Sequence, residues 1–193
     1  MALNTLDKIY QGGFKAFAQK GYFEVTMEEV AVIAGVSKGT LYYRFKTKEE
    51  LYFYLIERGI DEFCEAISNR LAEIPLYLVE ERLDALVRVH LHYFESHPDF
   101  CKLMFRRSFD SFLGEDQFLM KMKDYFYLIE KELTNAQEKG WMDSFLHITT
   151  AASSFFGMLG FFVIRTMVRG DSIRSKPLQN TLIHMVKESM RAK

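Results

Sequence analysis

Apolar residues return along this chain at steps of three and four, and no alternating run is long enough to argue for a sheet, so the pattern predicts helices throughout. Leu6, Ile9, Tyr10, Phe14 and Phe17 gather on one face of a first helix over about 4–20, which Gly21 stops. Thr26-Met27-Glu28-Glu29 has the form of a capping box, in which the Thr hydroxyl accepts from the third amide of a helix and the Glu reaches back to the Thr amide. Val30, Ile33 and Ala34 follow, and Gly35 supplies the left-handed residue that ends this short second helix. Ser37 caps a third helix with Leu41 and Phe45 on its apolar seam. A second capping box at Thr47-Lys48-Glu49-Glu50 leaves that helix room for about two turns.

From Leu51 through Leu55, Ile56, Ile60, Phe63 and Ile67 to Leu71 the helical spacing is unbroken until Pro75 approaches, which predicts one long amphipathic helix. Further helices are expected at about 78–96, 99–112, 115–138, 147–169 and 177–190, with Pro98 and Pro177 at starts and Gly140 and Gly170 at stops. The expected fold class is therefore all-α. A small N-terminal domain, 1–47, is joined through the long helix to a larger helical domain, 48–193.

Composition narrows the class of protein. With 193 residues, 49% apolar and 26% charged, the chain can bury a core and is neither disordered nor collagen-like. The formal charge of -1 means that any affinity for nucleic acid must come from a local basic patch. Cys64 and Cys101 are too few for a disulfide framework and no secretory leader is evident, so a reduced, cytoplasmic protein is expected. The most apolar stretch, Ala151 to Val168, is interrupted by Ser153, Ser154 and Arg165, and reads as a buried helix and not as a membrane span.

The local basic patch is present. Thr26 to Phe45 makes two short helices joined at Ala34-Gly35-Val36-Ser37, the spacing of a helix-turn-helix whose second helix enters the DNA major groove. From Ser37 to Lys48 every charged residue is basic: Lys38, Arg44, Lys46 and Lys48. Thr40, Tyr42 and Tyr43 interleave with them and can donate to phosphates or touch base edges, and Gly39 permits close backbone approach. The helix N-termini at Thr26, Ser37 and Thr47 can aim amides at phosphates. Packing is the competing role for either tyrosine, and plain solvation for Lys46 and Lys48.

At these residues the chain resembles the TetR family of bacterial transcriptional regulators. The resemblance runs from about Leu6 to Leu55, through Phe17-Ala18-x-Lys20-Gly21-Tyr22, Thr26-Met27-x-x-Val30-Ala31, Ala34-Gly35-Val36-Ser37-Lys38-Gly39-Thr40-Leu41-Tyr42 and Phe45-Lys46-x-Lys48-Glu49-x-Leu51. It implies a homodimer whose two recognition helices read a palindromic operator in double-stranded DNA, and a C-terminal domain that binds a small effector and lowers DNA affinity. It also places Thr26, Ser37, Lys38, Gly39, Thr40, Tyr42, Tyr43 and Lys48 at the family's DNA-contacting positions. Of these, Thr26, Tyr43 and Lys48 are expected on phosphates, and Lys38, Gly39, Thr40 and Tyr42 nearest the bases. Repression, released by the effector, is the family's habit.

Beyond residue 90 aromatic and Met side chains crowd together, and they either line an adaptable cavity or fill a helical core. The candidates for effector contact are Phe105, Phe109, Phe112, Met122, Tyr125, Phe126, Phe155 and Met158, which favour a small lipophilic or aromatic molecule. Polar orientation is open among His90, Tyr93, Arg106, Asp110 and Tyr125. The last two helices, with Leu178, Leu182, Met185, Val186 and Met190 in a stripe, are the expected dimer face. His90 and His92 point to different faces of one helix and no Cys joins them, so no metal is expected. Neither a phosphate-binding glycine loop nor a nucleophile elbow is present, and no enzyme activity or cofactor is expected. Two alternatives stay open: a helical small-molecule carrier, and a regulator controlled by a protein partner.

Overall fold

The computed structural model describes residues 4–109 and 115–192, with side chains described for 4–105, 118 and 120–192. Among them are the helices α1 (Thr5–Lys20), α2 (Met27–Ala34), α3 (Lys38–Arg44), α4 (Lys48–Ala72), α5 (Val79–Ser96), α6 (Pro98–Phe109), α7 (Glu115–Glu138), α8 (Ile148–Arg169) and α9 (Lys176–Met190). No strand occurs among the described residues; a single antiparallel bridge joins Met142 to Arg191. The fold is all-α, as the periodicity requires.

The helix ends follow from local chemistry. Thr26 accepts from the amide of Glu29 at 3.2 Å while the Glu29 carboxylate takes the Thr26 amide at 3.0 Å, which completes the capping box of α2. Gly35 ends α2 at φ 64°, and its amide reaches the carbonyls of Ala31 and Val32. Ser37 caps α3 by accepting from the Thr40 amide at 3.0 Å. The second box closes differently from expectation. Thr47 accepts from the Glu50 amide at 3.0 Å, but the Glu50 carboxylate reaches one residue further back, to the Lys46 amide at 2.7 Å.

Packing divides the chain into two compact units, one of residues 1–61 with 97–121 and the other of 62–96 with 122–193. These limits differ from a break at 47/48, because α4 and α6 pack on the N-terminal helices: Phe100 of α6 closes on Gly59 and on Phe14 of α1. In the first unit α1 and α2 touch so closely that a Cβ on Gly12 would stand 2.6 Å from Ala34 Cα. Arg58 of α4 donates to Asp7 of α1 at 2.8 Å and lies over the Tyr10 ring at 4.1 Å. α4 belongs to both units, passing from one to the other at Asp61 and Glu62.

The second unit has an aromatic core of Phe63, Tyr93, Phe94, Tyr125 and Phe155 around His90. It also buries an ion pair. Arg82 of α5 grips Glu132 of α7 with two hydrogen bonds of 2.8 and 2.7 Å, and its remaining donors cap the carbonyls of Leu71 and Ile74 at the end of α4. Glu80 receives Trp141 Nε1 at 3.1 Å and Lys187 Nζ at 3.0 Å, which pins α9 and the loop before α8 to α5. α8 is long and apolar enough to cross a membrane by length and composition. One of its faces, with Ala152, Phe155, Leu159 and Val163, is buried within the unit, whereas Phe161 and Val168 are exposed; the helix is buried on one side only.

Candidate nucleic-acid interface and effector core

The amphipathic turn of α3 presents its polar side outward. Leu41 is its only buried residue and anchors it, so Lys38, Gly39, Tyr43 and Arg44 are exposed and Thr40 and Tyr42 are half-buried. Tyr43 is 75% exposed, and the cations of Arg44 and Lys46 lie 5.8 and 5.9 Å from its ring centre. A phenol between two cations is suited to an anionic oxygen. Gly39 has only Ser37 Oγ near the place a Cβ would take, at 3.8 Å, so this side of α3 is open.

Several expected contacts are already engaged within the chain. The Thr26 hydroxyl serves the capping box. The Ser37 and Thr40 hydroxyls lie 2.8 Å apart and bond to each other. Lys48 donates to the carbonyls of Val25 at 2.9 Å and Phe23 at 3.3 Å, with its ammonium 4.6 Å from the centre of the Tyr22 ring. Two of its three donors therefore brace the turn between α1 and α2.

One acid stands among these groups that the sequence reading did not single out. Glu28 of α2 pairs with Lys38 of α3 at 2.5 Å, and the Lys38 ammonium lies 5.6 Å from the centre of the Tyr42 ring. Lys38 in turn holds the Glu28 carboxyl below its ordinary range, and its own ammonium is raised by Glu28. The all-basic run from Ser37 to Lys48 is thus partly neutralised from the neighbouring helix. Ten positions and a turn separate the two residues, so only the helix-turn-helix geometry brings them together.

The effector candidates divide between the units. Phe105 lies in the first; Met122, Tyr125, Phe126, Phe155 and Met158 lie in the second. Phe109 by its side chain, and Phe112 altogether, fall outside the described residues, as do the Arg106 side chain and Asp110. Tyr125 and Phe155 are fully buried and both rings meet His90, at centroid distances of 5.7 and 5.2 Å. Phe126 packs edge-on to Tyr125 at 5.2 Å. The polar atoms at this centre satisfy one another: His90 Nδ1 donates to the Leu86 carbonyl at 2.7 Å, so Nε2 accepts from the Tyr125 hydroxyl at 2.9 Å. Burial lowers the His90 pKa to about 4, and pushes the Tyr125 hydroxyl well up. The imidazole is neutral at physiological pH. No cluster of metal-ligating residues occurs among the described residues.

Comparison with known proteins places this geometry. Residues 9–55 match the family model described as bacterial regulatory proteins, tetR family. An uncharacterised helix-turn-helix-type transcriptional regulator of Bacillus subtilis, YerO, is 28% identical over 126 residues, which are 65% of this chain but only 42% of that protein's length. The fatty acid metabolism regulator protein of B. subtilis is 21% identical over 93% of this chain and 92% of its own. Among solved structures, the transcriptional regulator FadR from B. subtilis in complex with stearoyl-CoA superposes with a TM-score of 0.84, at 19% identity, over 96% of this chain and all of the other. That likeness establishes the all-helical fold. The family match spans the capping box, the turn and the third helix, so the N-terminal segment is similar to the DNA-binding segment of the tetR family of bacterial regulatory proteins.

Proposed function

We propose that the chain is a homodimeric repressor that reads a palindromic operator with α3 of each subunit and releases it when a lipophilic effector binds the C-terminal helices. The observation that carries the DNA reading is the one-sided burial of α3: Leu41 alone is buried, and Lys38, Thr40, Tyr42 and Tyr43 are left accessible. In this reading residues 1–47 are the DNA-binding domain, with Lys38, Gly39, Thr40 and Tyr42 towards base edges and Tyr43 on phosphate. Thr26, Ser37 and Lys48 act chiefly through the helix ends and the turn that they brace.

The apolar side of α8 that its own subunit leaves open, with Phe161, Val168 and Gly157, and exposed Leu178 and Met185 of α9 make up the proposed dimer face. Effector chemistry is supported by the names of two similar proteins, a fatty acid metabolism regulator and a FadR in complex with stearoyl-CoA. From those two names we take a long-chain acyl thioester of coenzyme A as the effector class. Because α4 belongs to both units, an effector that favours a different setting of its C-terminal half changes the spacing of two recognition helices. A tenfold loss of operator affinity needs only about 1.4 kcal/mol of differential affinity.

The test is a mobility-shift titration on the DNA flanking the protein's own gene, with and without stearoyl-CoA. Binding is expected to weaken steeply with salt, and the acyl thioester to dissociate the complex and raise the thermal midpoint of the free protein. Salt-independent binding would sink the DNA reading, and an acyl thioester without effect on either readout would sink the effector.

A further inference from the structure

Glu28 lies on α2 but acts on α3. Its Oε1 stands 2.5 Å from Lys38 Nζ, and the Lys38 ammonium lies 5.6 Å from the centre of the Tyr42 ring. Lys38 thus meets both the Glu28 carboxylate and the Tyr42 ring. At least half of the Glu28 and Lys38 side chains is exposed, so water screens the pair and it adds little to folding. The capping box of α2 and the Gly35 turn hold the motif without it. Its consequence therefore lies with whatever approaches that surface.

We propose that Glu28 is a specificity-determining residue: it cancels the Lys38 charge towards phosphates of any sequence and holds Lys38 in place for base edges, lowering non-operator affinity more than operator affinity. This rests on the reading of α3 as the DNA-facing helix. Affinity for arbitrary duplex is set by how many phosphates meet uncompensated cations, and a carboxylate at the surface removes one. Base contacts are directional. A lysine leaves its carboxylate for guanine O6 and N7 only where acceptors stand in the right place, and the carboxylate so released can accept from a cytosine amino group.

The experiment uses the full chain and a randomised duplex library, from which the wild-type protein selects its preferred sequence. That sequence and a scrambled duplex of equal composition are then titrated at several salt concentrations with wild type, Glu28→Gln, Lys38→Gln and the double variant. Glu28→Gln is expected to bind scrambled duplex several-fold more tightly, with a salt slope steeper by about 0.9, and to lose about fivefold in discrimination between the two duplexes. In the Lys38→Gln background the Glu28 substitution is expected to change neither quantity. An unchanged ratio and slope would overturn the inference, as would equal weakening on both duplexes, which is the mark of a structural role. If the wild type enriches no sequence, the DNA reading falls and this inference falls with it.

Discussion

Tyr43 and His90 show how differently two residues of one chain can be placed. Tyr43 stands in solvent between two cations. Removing its hydroxyl and ring, Tyr43→Ala, is expected to weaken binding to every duplex alike by roughly fivefold, the worth of about one hydrogen bond, with no change in thermal midpoint. Gel-shift titrations on operator and scrambled duplex check this, and a loss confined to the operator would reassign Tyr43 to base reading. His90 is buried and neutral, with its pKa lowered from 6.5 to about 4 by desolvation. The unfolded chain therefore takes up a proton below pH 6.5 that the folded chain refuses. Stability from this group is complete above pH 6.5, erodes by about 1.4 kcal/mol per pH unit as pH falls, and levels off below about 4, for a total near 3 kcal/mol. Urea midpoints of wild type and His90→Gln between pH 7 and 4 are expected to show a shallower pH dependence in the variant; parallel curves would contradict the assignment.

At the scale of the element, the contrast between two glycines separates folding from recognition. A Cβ on Gly12 would meet the Ala34 backbone at 2.6 Å, where nothing can yield, because α1 and α2 are held by the capping box and by Lys20 paired with Glu29. Gly12→Ala is expected to cost about 1–3 kcal/mol in chemical denaturation. Gly39→Ala has open space around it and should fold as wild type, yet lose operator binding if the α3 backbone approaches the groove. Helix α4 offers a third case. Its last carbonyls are capped by Arg82, whose charge is compensated in the interior by Glu132. Glu132→Ala leaves the guanidinium buried without its carboxylate, and a loss of about 3–5 kcal/mol is expected in the same denaturation assay. Among the described residues, the helix positions were legible from periodicity, capping residues and glycine stops to within a few residues. Arg82 with Glu132 was not, since fifty residues separate partners that no local pattern relates.

For the whole molecule, the open side of α8 is where self-association is expected. Phe161→Glu places a charge in the middle of the proposed dimer face and, being exposed in the single chain, leaves the subunit folded. Sedimentation is expected to show a monomer. Operator affinity is expected to fall by more than about 100-fold, because two half-sites no longer bind as one unit. A variant that remains dimeric would move the interface elsewhere. The resemblance to the tetR family over residues 9–55 and the basic, tyrosine-bearing third helix were readable from the chain because the helix-turn-helix packs residues that are close in sequence. The neutralising Glu28, the bracing role of Lys48 and the mutual satisfaction of His90 and Tyr125 were not readable.

Local grammar explains the division. Helix-forming periodicity, hydroxyl caps and left-handed glycines act over three or four residues, so they settled the all-α class, the approximate helix limits and the helix-turn-helix spacing before any chain was folded. Which cation meets which carboxylate, which histidine loses its water and which face of α8 stays open depend on packing between helices remote in sequence. Those outcomes were decided only when Lys38 came within 2.5 Å of Glu28 and when Arg82 closed on Glu132.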